Sequence, residues 1–166
     1  MAATKTLNDL FHETLKDIYY AERQILKALP KMARAAQDEK LKAAFQQHKD
    51  ETEGQIDRLK QVFEIIGKRA QGKTCDAIEG IISEGEEIMD EFKGTPALDA
   101  GLLAAAQAVE HYEISRYGTL RAWAKQLGLK DAVTLLEETL AEESKTDELL
   151  SELAETAVNQ AAKQAA

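Results

Sequence analysis

The stretch from Val109 to Leu120, V-E-H-Y-E-I-S-R-Y-G-T-L, lies inside a helical pattern, yet it places Glu110, His111 and Glu113 where a packed helix would take carbon. Ala106, Val109, Glu113, Tyr117 and Leu120 fall on one face at helical spacing. That face is apolar except at Glu113, and Glu110 stands one turn above it. Burying an ionised carboxylate without a partner costs several kcal/mol, so the chain must supply a cation, a hydrogen-bond network or access to water.

Three other segments carry the same signature. Glu22 interrupts the stripe Leu15, Ile18, Ile25, Leu26, Leu29. The face Leu41, Ala44, Phe45, His48, Thr52, Gln55, Leu59, Val62, Ile66 turns polar in its middle turns, with Glu51 one turn after His48 and one before Gln55. Glu143, followed by Thr146 and Asp147, does the same within Val133, Leu136, Thr139, Leu140, Leu150, Leu153. Carboxylates with an imidazole suit divalent metal ions such as iron or manganese. The competing reading turns some acids outward and joins the rest to Tyr19, Tyr20, Tyr112 and Tyr117 in a hydrogen-bonded polar layer. His111, next to Glu110, points to another face and is expected to serve packing or an interface. Cys75 has no second cysteine to pair with and reads as a small, inert, half-buried residue.

The elements that must position these residues are helices. Hydrophobic residues make up 44% and charged residues 31%, with few aromatics and two prolines, a composition that leaves little for strands. The periodicity predicts one domain over residues 1–166, with helices at about 7–36, 41–66, 75–93, 98–126 and 131–159 and a frayed tail at 160–166. Pro30 predicts a kink rather than an end in the first helix. Gly128 suits a left-handed cap, after which Asp131 is expected to open the last helix. Phe63 and Trp123 are candidates for an outer, dimerising patch. Two connections are short and the middle one spans about thirty residues. Short links make antiparallel hairpins, and the long one, carrying a short extra helix, lets them pair with a crossover. The predicted fold is an all-α, ferritin-like four-helix bundle.

At about 1.5 Å per residue, distance from a tight turn gives height in a hairpin. Glu22 lies 16 residues before Asp38, and Glu51 and Gln55 lie 13 and 17 after it. Glu113 lies 17 before Lys130, and Glu143 and Asp147 lie 13 and 17 after it. The hairpins repeat one another in position and chemistry, which predicts Glu22, Glu51, Glu110, Glu113, Glu143 and Asp147, with His48, around the middle of one bundle. No Lys or Arg shares those inner faces at that level, so bound metal is the expected counter-charge.

A net charge of −9 with no basic run argues against nucleic acid as a partner and for cations. No run approaches the roughly 18 apolar residues of a membrane span, and the first residues lack a signal-type apolar core. A soluble, cytoplasmic protein is expected.

The segments D-L-F-H-E-T-L-K-D-I-Y-Y-A-E-R-Q-I-L-K-A-L-P-K-M-A, H-K-D-E-T-E-G-Q-I-D-R-L, A-A-Q-A-V-E-H-Y-E-I-S-R-Y-G-T-L and T-L-A-E-E-S-K-T-D-E-L-L resemble the bacterial ferritin-like YciE/YciF stress-protein family over nearly the whole chain. A further likeness to rubrerythrin implies an E-x-x-E pair on the third bundle helix, met by Glu110 and Glu113, a first-helix acid, met by Glu22, and a fourth-helix acid, met by Glu143. It also implies E-x-x-H motifs, from which this chain departs: His48 precedes Glu51, and Glu143 is followed by Thr146 and Asp147. No C-x-x-C module supplies an electron donor. The resemblance implies a stress-associated protein holding one or two metal ions, iron first with manganese or zinc as alternatives, that oxidises ferrous iron with oxygen or peroxide. On that reading Glu22, Glu51, Glu113 and Glu143 ligate or bridge, His48 and Asp147 are terminal ligands, Glu110 is an additional ligand, and Tyr19, Tyr20 and Tyr112 are neighbouring donors. The alternative is a non-catalytic homodimer in which the acid layer is structural or vestigial.

Overall fold

The first helix, α1 (Leu7–Ala35), opens on a reciprocal cap: the Asp9 N–H donates to Thr6 Oγ1 at 3.4 Å, and the Thr6 N–H to Asp9 Oδ2 at 2.8 Å. The helix continues through Pro30 and buries Leu15, Ile18, Glu22, Ile25 and Leu29 on one face. The structure, a computed structural model, describes residues 3–164. After a three-residue turn, α2 (Glu39–Ile65) is capped by Asp38, whose Oδ1 accepts from the Leu41 N–H at 2.9 Å. This cap starts the helix two residues ahead of the expected Leu41.

The crossover carries α3 (Asp76–Glu91), and α4 (Leu98–Gln126) follows. The backbone turns at Gly128, whose φ of 73° is open to glycine at little cost. The next helix, α5 (Lys130–Leu153), begins one residue before the expected Asp131, with Leu129 in the capping position and no side-chain cap. Asp131 instead sits in the first turn, where its charge favours the helix dipole. A single π-helical turn (Ala154–Val158) leads into α6 (Asn159–Gln164). The described part of the tail is helical to Gln164 and packs on α4 beyond the buried Val158. Residues 165 and 166 lie outside the described residues.

Packing closes α1, α2, α5 and α4 into a ring of four, each helix touching two others, with α3 laid over the seam between α1 and α4. The crossover tracks α1 in the same direction: Lys73 bonds to the Lys16 carbonyl at 3.2 Å, Tyr20 to Glu79, and Lys31 lies against Glu86. Asp99, in the first turn of α4, accepts the Gln37 and Asp38 N–H groups at 2.8 and 2.7 Å. The turn of the first hairpin and the start of α4 thus share one end of the bundle. Among the described residues no helix is long and apolar enough to cross a membrane.

The core is aliphatic with Phe11, Phe45 and Phe63 fully buried, so Phe63 is not part of an outer patch. Its ring meets Tyr19 edge-on at 5.5 Å. Trp123 is half-buried against the same core. Cys75 is buried, with Sγ 2.9 Å from the Tyr112 hydroxyl.

Candidate metal centre

Amphipathic stripes put acids into this core, and helix register decides which of them meet. Counting from the Asp38–Asp99 end of the bundle, His48 stands 10 residues above Asp38 and Glu110 stands 11 above Asp99, which is one level on two helices. His48 Nδ1 lies 2.9 Å from Glu110 Oε1, and Nε2 lies 3.8 Å from Glu113 Oε2 and 3.7 Å from Glu143 Oε2. One donor atom from each of His48, Glu110, Glu113 and Glu143 falls within 4.8 Å of the others, and all four residues are buried. Three helices contribute: α2 the imidazole, α4 two acids one turn apart, α5 the fourth group.

Glu22 joins from α1. Its Oε1 accepts a hydrogen bond of 2.5 Å from the Tyr117 hydroxyl, while its Oε2 has no partner. Burial, and then the nearby Glu143 charge, push its carboxyl up to about 8, against the neighbouring Glu113 carboxyl and the Tyr117 hydrogen bond, which pull it down. Burial is also the leading cause that raises Glu110, followed by its contact with Glu143, and that raises Glu113, followed by the charges of Glu143 and Glu22. Burial lowers His48, holding the imidazole neutral, against the charges of Glu143 and Glu51. Protons must therefore sit on carboxylates that water would leave ionised.

The residues fit a metal ion on independent grounds. Every buried side-chain nitrogen or oxygen without a hydrogen-bond partner among the described residues belongs to Glu22, His48, Gln55, Glu110, Glu113 or Glu143. Buried polar groups are ordinarily satisfied, and here all the exceptions but Gln55 Oε1 belong to the four-residue group and the adjoining Glu22. Four carboxylates and a neutral imidazole are hard-to-borderline donors of the kind that divalent iron, manganese or zinc accept.

Two expected members stand apart. Glu51 is half-buried, accepting from Gln47 Nε2 at 2.8 Å and from Thr146 Oγ1 at 3.2 Å. Asp147 faces the exposed His111, with Oδ1 3.1 Å from His111 Nε2 and 3.4 Å from Gln107 Nε2. In each case the neighbouring threonine takes the inner position: Thr52 and Thr146 are buried, and the Thr52 hydroxyl donates to the His48 carbonyl at 2.7 Å. The tyrosines also sort differently. Tyr19, Tyr20 and Tyr112 engage Phe63, Glu79 and Cys75, whereas Tyr117 is the one that reaches a central acid. Its place four residues after Glu113 on the same face is the sequence signal for that role.

Beside the acids, Arg58 bridges α2 to α5 by pairing with Glu142 and donating to Thr139 Oγ1 at 3.1 Å. Gln55 Nε2 donates to the same Glu142 at 3.1 Å. This network was not foreseen from the sequence, where Arg58 three residues after Gln55 and the doublet Glu142–Glu143 are its only trace.

A family model described as a domain of unknown function, DUF892, matches residues 6–163. Protein YciF of Escherichia coli K12 is 47% identical over 159 residues, covering 95% of this chain and 96% of its own. The crystal structure of the E. coli stress protein YciF superposes with a TM-score of 0.89, covering 94% of this chain and 99% of that one. YcfI of Rhodopseudomonas palustris, provisionally described as a structural protein, is also 47% identical, with a TM-score of 0.87 over 90% of this chain and 96% of that one. A Xanthomonas campestris protein at 21% identity shares the fold, with a TM-score of 0.74 over 96% of this chain and 98% of that one. The chain belongs to the DUF892 family and, as a helical bundle, is closely similar to the E. coli stress protein YciF.

Proposed function

We propose that this protein binds one or two divalent metal ions, iron first and manganese or zinc as alternatives, between His48, Glu110, Glu113 and Glu143, with Glu22 as a further carboxylate. The observation that carries this reading is that all but one of the unpartnered buried side-chain polar atoms among the described residues, the exception being Gln55 Oε1, belong to these five residues. A polar layer built for structure alone would satisfy its own donors and acceptors. Iron held there would supply one-electron chemistry toward oxygen or peroxide. The chain's own residues would bind and orient it: α4 offers two acids one turn apart, α1 and α5 an acid each, and α2 the imidazole. Glu51 and Asp147 lie outside this cluster, and we assign them lesser roles in affinity. Stress-associated ferrous oxidation is the activity most consistent with this donor set and with the resemblance to YciF.

The structural alternative draws on the description of the R. palustris relative and on three exposed large apolar residues, Leu10, Ile65 and Phe92, that a second copy of the chain would cover. Elemental analysis of protein purified without chelator, with ferrous, manganous and zinc titrations of parent and Glu113→Ala, separates the two. Near-stoichiometric metal in the parent and loss of at least tenfold in affinity in the variant are expected. Trace metal in both, at any of the three ions, would overturn the reading.

A further inference from the structure

Where α3 covers the seam between α1 and α4, the helices leave an apolar cavity of about 30 Å³ with His48 at its inner end. Its walls include Ile25 and Ala28 from α1, Ile81 and Gly85 from α3, and Ala105 and Val109 from α4. Small residues on all three helices, Ala28, Gly85, Ala105 and Ala106, line the space. The Lys31–Glu86 ion pair, 3.4 Å long and exposed, marks the solvent side.

We propose that this cavity binds a dioxygen-sized apolar molecule and holds it against His48, the one cluster residue that lines it. Size and polarity select the occupant. One water needs about 10–15 Å³ on this measure together with two to four polar partners. The cavity has two to three times that room, yet inward of its mouth His48 is its one polar side chain. Such a space stays dry and takes up small apolar molecules, and it is too small for an acyl chain. The occupancy itself does not depend on bound metal. The assignment of dioxygen as the molecule used rests on the metal-binding reading above.

Dissolved dioxygen is paramagnetic, so methyl relaxation in metal-free protein under oxygen pressure reads its location directly. The buried Ile25 and Val109 methyls should relax at least threefold faster than the Leu15 and Leu120 methyls, which are buried away from the cavity. Ala28→Leu and Ala105→Leu, each filling the space from a different helix, should remove that excess. Relaxation no faster than at Leu15 and Leu120, or an excess that survives both substitutions, would overturn the site. A second arm uses ferrous-loaded protein: either substitution should slow oxidation by dissolved oxygen at least fivefold at unchanged metal stoichiometry, and an unchanged rate would overturn delivery of the gas to the cluster. Failure to load metal would refute the metal-binding reading while the relaxation result stands on its own.

Discussion

The Tyr117 hydroxyl on α4 donates to Glu22 Oε1 on α1, joining two fully buried residues 95 positions apart in the chain. The bond pulls the Glu22 carboxyl downward against burial. Tyr117→Phe leaves that oxygen buried and unpaired, which costs about 1–3 kcal/mol, and moves the Glu22 carboxyl further up. Urea denaturation of metal-free protein should show this loss, and metal titration should show affinity reduced about 10- to 100-fold, the usual effect of removing a group that supports a ligand. An unchanged urea midpoint would mean that the hydrogen bond contributes nothing to folding.

Metal-free and metal-loaded protein should respond to pH in opposite directions. Glu22, Glu110 and Glu113 are raised, so the native chain keeps protons that the unfolded chain releases above about pH 4.3. The native state then binds more protons, and stability falls as pH rises, by up to about 1.4 kcal/mol per unit for each such acid. His48 is lowered and acts oppositely, but only below about 6.5, where the unfolded imidazole takes up a proton. Between about 6.5 and the Glu22 value of about 8, the acids therefore act alone. The urea midpoint of metal-free protein should drop across this window. Metal binding should tighten across the same window, since loading displaces those protons.

How far the sequence reaches is visible in two neighbouring pairs. Glu22 and Glu113 are legible because their apolar companions three and four residues away fix the face they share. Adjacent residues are only about 100° apart on a helix, so the pattern cannot rank Glu51 against Thr52 or Asp147 against Thr146. Metal chemistry favours the acid, but burial favours the threonine, because its hydroxyl can bond back to the preceding turn, as Thr52 does to the His48 carbonyl. His48 is legible as a member of the central layer, but its match in height to Glu110 is not. Each hairpin was measured from its own turn, and only the Asp99 bonds to Gln37 and Asp38 show that α4 starts beside the first of them.

That clamp makes its own prediction. Asp99 satisfies two backbone N–H groups at the α1–α2 turn. Asp99→Ala removes both bonds at a partly exposed site, at a cost of about 1–2 kcal/mol, comparable to losing a good helix cap. Because the same bonds set the height of α4 against α2, amide exchange should rise at Gln37 and Asp38, and metal affinity should fall although Asp99 touches no metal donor. Equal affinity in the variant would show that helix packing alone holds His48 level with Glu110.

The sharpest separation between a metal centre and a structural acid layer comes from substitutions that keep shape and change charge. Glu113→Gln preserves volume and removes a carboxyl that burial strongly disfavours as an anion. At pH 7.5 the metal-free variant should be more stable than the parent, by on the order of 1 kcal/mol, as when buried ionisable groups give way to neutral ones. Its metal affinity should fall at least tenfold, with Glu143→Gln behaving alike, whereas Glu51→Gln and Asp147→Asn should lower affinity less than threefold. Stability gained as affinity is lost is the mark of groups retained for binding, and a layer retained for structure would lose stability instead. Urea midpoints and metal titrations on the four variants decide it, and a destabilised Glu113→Gln that binds metal like the parent would refute the metal-binding reading.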